Sequence, residues 1–214
     1  MSNMKGYYDI EIELDGIGPG TDALNAAFYL QDLKQRKLWL TDAVNEDSVF
    51  DLIRQIMQIN AEDDSAGIQL EDRKPIRLYL RSCGGSVDAG FALIDAIENS
   101  VTPVYTINLG YAYSMGFLIM LAGHQRYATK NAKFLMHDGT NFVWDSGSKA
   151  QDQMAFQRRV EERIKQFVLS HSLFTEADYD KNQRVEFYLF ADEAKKYGFV
   201  DWIVGEDCDM TGLI

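Results

Sequence analysis

The stretch IRLYLRSCGGSVDAG, residues 76–90, decides the fold. Alternate positions in its first half are apolar, which is the period of a β-strand that buries one face: they are Ile76, Leu78 and Leu80. Gly84 and Gly85 then break the strand. The apolar residues that follow, up to Ile97, have helical spacing. The stretch therefore predicts a strand, a glycine turn and a helix, in that order.

Two more units of this kind flank the first one. Upstream, a short apolar strand at residues 38–40 precedes an amphipathic helix at residues 49–56. Downstream, a strand at residues 104–108 is ended by Gly110, and Ser114 opens an apolar helix. Repeated strand, turn and helix units predict right-handed crossovers on a largely parallel sheet.

The rest of the chain supplies further elements of the same class. Residues 149–170 predict a long helix, and residues 134–136 predict a buried strand. A helix at residues 191–197 and a strand at residues 199–204 close the domain, whereas the acidic residues 62–72 predict an exposed loop. The predicted fold class is therefore α/β.

Composition argues against several classes of function. The 214 residues include 33 acidic and 21 basic side chains, for a net charge of −12, and a surface this acidic repels nucleic-acid backbones. Two cysteines, Cys83 and Cys208, form no metal-site or disulfide spacing, which is typical of a reducing compartment. The first residues lack the apolar core of a signal peptide, and the longest apolar run, residues 117–122, is too short to span a bilayer. These observations predict a cytoplasmic protein.

Two turns at the carboxyl ends of predicted strands are candidates for chemistry, because open α/β sheets bind ligands at that edge. One contains Gly84 and Gly85, whose backbone amides can approach a ligand closely. The other ends at Ser114, which would lie at a helix amino terminus, where unpaired amides favour a developing negative charge. Each turn also has a purely structural interpretation, as a tight turn and as a helix N-cap.

A nucleophilic serine needs a base, and the chain has three histidines. His124 follows the apolar helix in a polar turn, and His171 lies at the end of the long helix, so both are interpreted as surface residues. His137 directly follows the buried strand and precedes Asp138 and Gly139. It is therefore the best candidate for a general base.

Two other nucleophile arrangements are alternatives to this one. Cys83 in the glycine turn is a rival nucleophile, although a reactive thiol needs a nearby base and positive surroundings. The nucleophile elbow of the α/β-hydrolases requires glycine where Ala112 stands. That fold also places its histidine last, whereas no histidine follows His171. The sequence therefore disfavours the α/β-hydrolase fold.

Four segments, in order, resemble motifs of the ClpP-type serine peptidases. IRLYLRSCGGSVDAG (76–90) resembles YINSPGGSV-AG, and GYAYSMG (110–116) resembles GQAASMG. FLMHD (134–138) resembles VMIHQP, and FYLFADEAKKYGFVD (187–201) resembles RFLSAPEAVEYGLVD. The likeness covers residues 37–204, most of the chain.

This resemblance implies a ClpP/crotonase-like ββα superhelix with a protruding handle helix, which corresponds to residues 149–170. The GYAYSMG and FLMHD segments match the family's nucleophile and base motifs, so the resemblance implies Ser114 as nucleophile and His137 as base. It also implies that the amides of Gly85 and Met115 form the oxyanion hole. The mechanism would be acyl transfer to the serine, followed by hydrolysis.

The resemblance further implies the partners of the protein. An extended peptide substrate would lie beside the residues that follow His137, by β-augmentation: they are Gly139, Thr140, Asn141 and Phe142. The chain would form a homo-oligomer, two stacked heptameric rings around a proteolytic chamber, and an AAA+ unfoldase is a further candidate partner. No metal or organic cofactor is implied, and neither nucleic acid nor a membrane is an expected partner.

Three positions depart from the family pattern. Glu186 stands where the family has its catalytic aspartate, and we predict that it orients His137. Cys83 and Asp138 stand where the family motifs have proline. Asp180 and Asp192 are the alternative acids.

The sequence divides into three parts. Residues 1–36, of which 7–14 alternate like a strand, form an amino-terminal segment that diverges from the family. Residues 37–206 form the peptidase domain, in which residues 62–72 resemble an insertion, and residues 207–214 form a carboxyl-terminal tail.

The predicted function is a serine endopeptidase that hydrolyses unfolded proteins or peptides inside a ring-shaped chamber. One alternative is a non-catalytic ring subunit that assembles with an active paralogue. Another is a crotonase-type acyl-CoA enzyme, which shares the fold and the oxyanion hole. That enzyme would not need Ser114 and His137 together.

Overall fold

A computed structural model describes residues 21–139, 147–211 and 213. The elements of the described residues are α1 (Thr21–Lys34), β1 (Lys37–Leu40), α2 (Glu46–Ser65), β2 (Ile76–Ser82), α3 (Val87–Glu98), β3 (Val104–Tyr113), α4 (Met115–Leu121), β4 (Gln125–Thr129), β5 (Lys133–Met136), α5 (Gly147–Ser170), α6 (Glu176–Asn182), β6 (Phe187–Phe190), α7 (Ala191–Lys196) and β7 (Trp202–Val204). A turn of 3-10 helix, Leu70–Asp72, precedes β2. The sequence does not predict α1, β4, α6 or β6. The strand suggested at residues 7–14 lies outside the described residues.

The sheet is built around β3. Parallel pairing runs in the order β1-β2-β3-β4-β7. On one side β3 has two successive partners, because β4 pairs with residues 105–108 and β5 pairs with residues 111–113. β6 joins β5 in an antiparallel pair. The predicted class, an α/β fold with a largely parallel sheet, is confirmed.

β3 does not end at Gly110, and that prediction is wrong. The strand runs on to Tyr113, because β5 pairs with its second half. The Asn108 side chain stabilises the point where β3 changes its partner from β4 to β5. Its oxygen accepts from the Gly110 amide at 2.9 Å, and its nitrogen donates to the Lys133 carbonyl at 3.0 Å. Ser114, rather than Gly110, therefore stands at the strand end.

The acidic residues 62–72 are not all exposed, and they do not form one loop. Helix α2 includes the first of them, and Asp63 is only 1% exposed. Arg36 donates to both carboxylate oxygens of Asp63, at 2.9 and 2.5 Å, and Thr102 donates at 2.7 Å. Burial acts to raise the pKa of Asp63, but these hydrogen bonds and the charges of Arg36 and Arg73 outweigh it and lower that pKa.

One face of the sheet is covered by α2, α3 and α4. Every residue of α4 is buried, which explains an apolar helix in a chain with an acidic surface. Across the described residues, no helix is long and apolar enough to cross a membrane. The long predicted helix is present as α5, which begins at Gly147, and the last strand is shorter than predicted.

The opposite face carries an in-register row of apolar and aromatic residues across five strands: Trp39, Tyr79, Ile107, Tyr127 and Trp202. Leu213 packs against the middle of this row and is 6% exposed. The Tyr79 hydroxyl donates a hydrogen bond to the Leu213 carbonyl. The carboxyl-terminal tail thus covers part of this face.

Candidate active site

Ser114 stands between β3 and α4 in a strained conformation. Its φ of 53° and ψ of −122° belong to a sparsely populated region that costs a non-glycine residue about 1–3 kcal/mol. Two backbone hydrogen bonds of 2.9 Å hold the turn, from the Ser114 amide to the Leu135 carbonyl and from the Phe117 amide to the Ser114 carbonyl. The Ser114 hydroxyl makes no capping hydrogen bond. The interpretation of this hydroxyl as a helix cap is therefore wrong.

The backbone of Gly84 packs directly against the Ser114 turn. Gly84 has a φ of 88°. A Cβ atom at this position would lie 2.7 Å from the Tyr113 carbonyl oxygen and 2.8 Å from the Ser114 Cβ. Only glycine allows this approach and this φ together. The two turns that the sequence singles out are thus in contact.

The amide of Gly85 points toward β3. Val44, between β1 and α2, forms a parallel bridge with Gly85. The Val44 amide donates to the Gly84 carbonyl at 2.9 Å, and the Val44 carbonyl accepts from the Ser86 amide at 2.7 Å. In such a bridge the bonded groups flank the opposite residue, whose own N–H points to the other side. For Gly85 that side is β3, because β2 lies between β1 and β3.

Met115 supplies a second amide at the same edge. It is the first residue of α4, and amides in the first turn of a helix have no acceptor within it. Its nitrogen would lie 2.9 Å from a Cβ atom on Gly84. Met115 therefore lies beside the glycine turn.

His137 and Glu186 face each other across β5 and β6. The antiparallel register pairs Met136 with Phe187, so its next step sets His137 opposite Glu186. The two side chains meet, with His137 Nδ1 2.9 Å from Glu186 Oε1. The histidine side chain is 28% exposed and the glutamate side chain 58% exposed. Solvent therefore reaches the pair.

Ser114 and His137 directly follow two neighbouring parallel strands, β3 and β5, at the same edge of the sheet. Tyr113 pairs with Leu135, and the Ser114 amide continues that ladder to the Leu135 carbonyl. His137 follows β5 directly. With Nδ1 directed at Glu186, the Nε2 atom lies on the other side of the imidazole ring.

The alternative candidates have other surroundings. Asp180 accepts a hydrogen bond from Lys165 Nζ at 2.8 Å, as does Glu176, and these bonds raise the pKa of Lys165. Asp192 lies in the first turn of α7. Cys83 is exposed, and its Sγ is 3.8 Å from the Gly84 carbonyl oxygen. In the described part of the chain, Glu186 is the acid that contacts His137.

A polar cavity of about 370 Å³ opens beside His137, between β5 and the helices α5 and α6. Its lining is largely charged, and includes Asp138, Arg158, Glu161, Lys165 and Arg184. Tyr179 also lines it, and burial raises the pKa of that phenol to about 12. Gly139, the first predicted substrate-binding residue, lies on the rim and is exposed. Thr140, Asn141 and Phe142 lie outside the described residues.

Sequence reasoning missed the tyrosines next to the site. Tyr113 precedes Ser114 directly, and Tyr188 comes two residues after Glu186. Their rings contact each other with centroids 5.8 Å apart. The signal was present, because tyrosine replaces the alanine that the ClpP motif has before its serine.

Comparison with known proteins identifies the family. The sequence model of the Clp protease family matches residues 21–207. The ATP-dependent Clp protease proteolytic subunit 1 of Frankia casuarinae is 32% identical over 199 residues, which is 90% of this chain and 87% of that protein. The ATP-dependent Clp protease proteolytic subunit 2 of Tropheryma whipplei is 29% identical over 173 residues, covering 80% and 92% of the two chains. The match begins at Thr21, the first residue of α1. The start of the domain at residue 37 stays a prediction. The chain therefore belongs to the Clp protease family and has the ClpP-type fold that its motifs predict.

Proposed function

We propose that this chain is a serine endopeptidase with Ser114 as nucleophile, His137 as base and Glu186 as the acid that orients the base. One observation carries the proposal. Ser114 is strained, His137 is hydrogen-bonded to the Glu186 carboxylate, and Ser114 and His137 lie just beyond the ends of two adjacent parallel strands. Strain at a nucleophile is a common device of active sites, because the surrounding structure must hold it in place. The membership in the Clp protease family supports the same reaction.

The proposed reaction has two halves. His137 Nε2 takes the proton of the Ser114 hydroxyl while the serine oxygen bonds to the peptide carbonyl carbon. The amides of Gly85 and Met115 stabilise the resulting oxyanion. His137 then gives the proton to the departing amine, and the C–N bond breaks. Water attacks the acyl-serine by the same route, releasing the carboxylic acid and restoring the serine hydroxyl.

Glu186 has a separate part in this proposal. Its carboxylate accepts the Nδ1 hydrogen of His137, which fixes the tautomer that leaves Nε2 able to accept a proton. It also stabilises the imidazolium that forms during attack. A glutamate can replace the aspartate of the family motif here because the β5–β6 register already sets it opposite the histidine.

We further propose that the chain forms two stacked heptameric rings around a chamber and works with a Clp-type ATPase. The two relatives are both named as ATP-dependent proteolytic subunits. Helix α5 supports assembly: Val168 is its one residue buried within this chain, whereas Met154 and Phe156 are 49% and 59% exposed. A helix that leaves such residues in water is typical of an interface. The cytoplasmic location and the residue ranges of the three predicted segments stay predictions.

A fluorophosphonate probe tests the catalytic proposal. Such probes phosphonylate activated serines, so we expect a single adduct on Ser114, located by peptide mass mapping. Ser114→Ala should abolish labelling, and Cys83→Ala should leave it unchanged. An adduct at another residue would move the nucleophile. Absence of any adduct on a folded, assembled protein would instead favour the non-catalytic ring subunit.

A further inference from the structure

Ser82 is a buried serine that the proposed mechanism does not use. It is the last residue of β2 and is 0% exposed. In the parallel pairing of β2 with β3 it lies opposite Ala112, two residues before Ser114. A buried hydroxyl without hydrogen bonds is costly, so the partners of the Ser82 side chain show which parts of the structure it holds together.

The Ser82 hydroxyl joins the glycine turn to the connection between β1 and α2. It donates to the Asp42 carbonyl at 2.6 Å and accepts from the Gly84 amide at 3.2 Å. Val44, in the same connection, forms the bridge with Gly85. The glycine turn is therefore held in place from the β1 side of β2.

Ser82 also contacts the first turn of α4. A Cβ atom on Gly116 would lie 3.0 Å from the Ser82 carbonyl oxygen and 3.2 Å from the Ser82 Cβ, so the bare backbone of Gly116 packs on Ser82. The side chain of Met115, the preceding residue, lies against the bare backbone of Gly90 on α3. The start of α4 therefore packs on Ser82 and on α3 together.

Ser82 thus supports both halves of the proposed oxyanion hole. Its hydroxyl bonds the amide of Gly84, the residue before Gly85. Its backbone and Cβ pack on Gly116, the residue after Met115. An oxyanion hole is effective when its donors are already placed about 2.7–3.1 Å from the position of the developing charge. A residue that fixes two donors relative to each other contributes to this placement without touching the substrate.

We propose that Ser82 is a positioning residue that sets the spacing of the Gly85 and Met115 amides in the oxyanion hole. This inference rests on the proposed peptidase function and adds a supporting residue to it. Within the described residues, the hydrogen bonds of the Ser82 side chain involve the β1–α2 connection and the glycine turn. Loss of the hydroxyl should therefore leave the bond between His137 and Glu186 in place.

The kinetics of Ser82→Ala test this role, with Ser100→Ala as the matched control. Ser100 is 8% exposed, and its hydroxyl also has one donor and one acceptor bond. It donates to the Thr102 carbonyl at 2.6 Å and accepts from the Asn60 side-chain amide at 2.8 Å. Ser100 precedes β3, whereas Ser114 follows that strand. Both variants should lose melting temperature to a similar extent, but only Ser82→Ala should lose activity.

The measurements use a quenched fluorescent peptide and a peptide aldehyde inhibitor, whose adduct with Ser114 places an oxygen in the oxyanion hole. For Ser82→Ala we expect kcat to fall about tenfold, less than the roughly 10²–10³-fold loss on removal of such a donor. The inhibition constant of the aldehyde should rise by a similar factor. KM should not change, and the pH dependence of kcat should not shift, because His137 keeps its bond to Glu186. Ser100→Ala should change each quantity by less than about twofold, since it is distant from the site.

Several outcomes would overturn the role of Ser82 while leaving the peptidase proposal intact. These are wild-type kcat and aldehyde affinity in Ser82→Ala, an equal loss of activity in Ser100→Ala, and a shifted pH dependence of kcat, which would place the effect at His137. If Ser82→Ala does not fold, Gly116→Ala replaces it, because its Cβ would press on Ser82 from α4. Gly116→Ala should lower kcat at constant KM, and wild-type kinetics would overturn the role. A wild-type protein that neither cleaves peptides nor reacts with a fluorophosphonate would overturn both proposals.

Discussion

The Nδ1 atom of His137 lies 2.9 Å from Oε1 of Glu186, although 49 residues separate the two in sequence. The antiparallel register of β5 with β6 produces this contact, because it sets position 137 opposite position 186. Loss of the Glu186 charge should therefore affect His137 and little else. The carboxylate is exposed enough that the fold does not depend on it.

Replacing Glu186 by Gln should lower kcat by roughly 10²–10⁴-fold, as expected when the orienting acid of a triad loses its charge. Far-UV circular dichroism and oligomer size should not change. Asp180→Asn is the control, because Asp180 is bonded to Lys165 instead, and its activity should stay close to that of the wild type. A dead Asp180→Asn with a normal Glu186→Gln would move the acid to Asp180. Normal activity of both would indicate a Ser–His dyad.

Local sequence patterns predicted much of this site. Ser114 and Gly84 are predictable because each follows a predicted strand, and the residues next to them mark the end of that strand: a second glycine beside Gly84 and an apolar helix after Ser114. The identification of Glu186 needed the motif that follows it, since nothing in its immediate neighbours marks a buried or bonded acid. Its contact with His137 depends on the pairing of two strands that are distant in the chain.

The errors also have non-local causes. Gly110 reads as a strand end, yet β3 continues because β5, far downstream, pairs with residues 111–113. Asp63 reads as a solvated acid in a polar run. It is buried because Arg36, 27 residues earlier, compensates its charge. Neither β5 nor Arg36 is close in sequence to the residue that it affects, so local sequence patterns do not reveal these contacts.

Substitution of Gly84 by Ala should disrupt the active site more than the fold. The added Cβ would lie 2.8 Å from the Ser114 Cβ, and a φ of 88° is unfavourable for alanine. We expect at least a tenfold loss of kcat/KM and a loss of unfolding free energy of about 1–3 kcal/mol. Gly147→Ala is the control, because a Cβ atom there meets nothing within 4 Å. Equal activity of the two variants would show that the turn can move away from Ser114.

The ion pair of Asp63 should contribute to stability against acid. Since its pKa is lower in the folded chain than in the unfolded one, its contribution is present above pH ~4 and is lost as pH falls through the folded value. Asp63→Asn should lower the unfolding free energy at pH 7 by about 3 kcal/mol, because it leaves Arg36 without its buried counter-charge. This difference from the wild type should shrink toward pH 2.

Asp51→Asn provides the control for that experiment. Asp51 pairs with Arg54 at 3.6 Å, and the two side chains are 67% and 61% exposed, so this ion pair should be worth under about 1 kcal/mol. Urea unfolding at a series of pH values measures both variants. If the Asp63→Asn difference stays constant down to pH 2, the carboxylate is not the group that titrates.

Leu213 should protect the aromatic face of the sheet. Leu213→Asp would place a charge against Tyr79 and Ile107, which pack with it, so the tail should detach. We expect the unfolding free energy to fall by about 2 kcal/mol, the value of one buried leucine, and anilinonaphthalene sulfonate fluorescence to rise. Met210→Asp should change little, because Met210 is 41% exposed. Unchanged dye binding in Leu213→Asp would mean that the tail does not cover this face in solution.

Helix α5 offers a way to separate assembly from folding. Val168 is fully buried in this chain, so Val168→Asp should unfold it and is uninformative about rings. Phe156 is 59% exposed, and within the described residues its ring contacts the Arg159 guanidinium, 5.7 Å from the centroid. Phe156→Asp should therefore leave the monomer folded while removing an apolar contact between chains.

Light scattering together with circular dichroism measures this difference. For Phe156→Asp we expect a native spectrum and a species smaller than the wild-type oligomer at micromolar concentration. Phe50→Asp is the matched control, because Phe50 is 61% exposed on α2 and also lies under an arginine, Arg54. It should assemble like the wild type, since α2 is not the proposed handle. A Phe156→Asp protein that forms wild-type rings would remove Phe156 from the interface, and a monomeric wild type would refute the ring proposal itself.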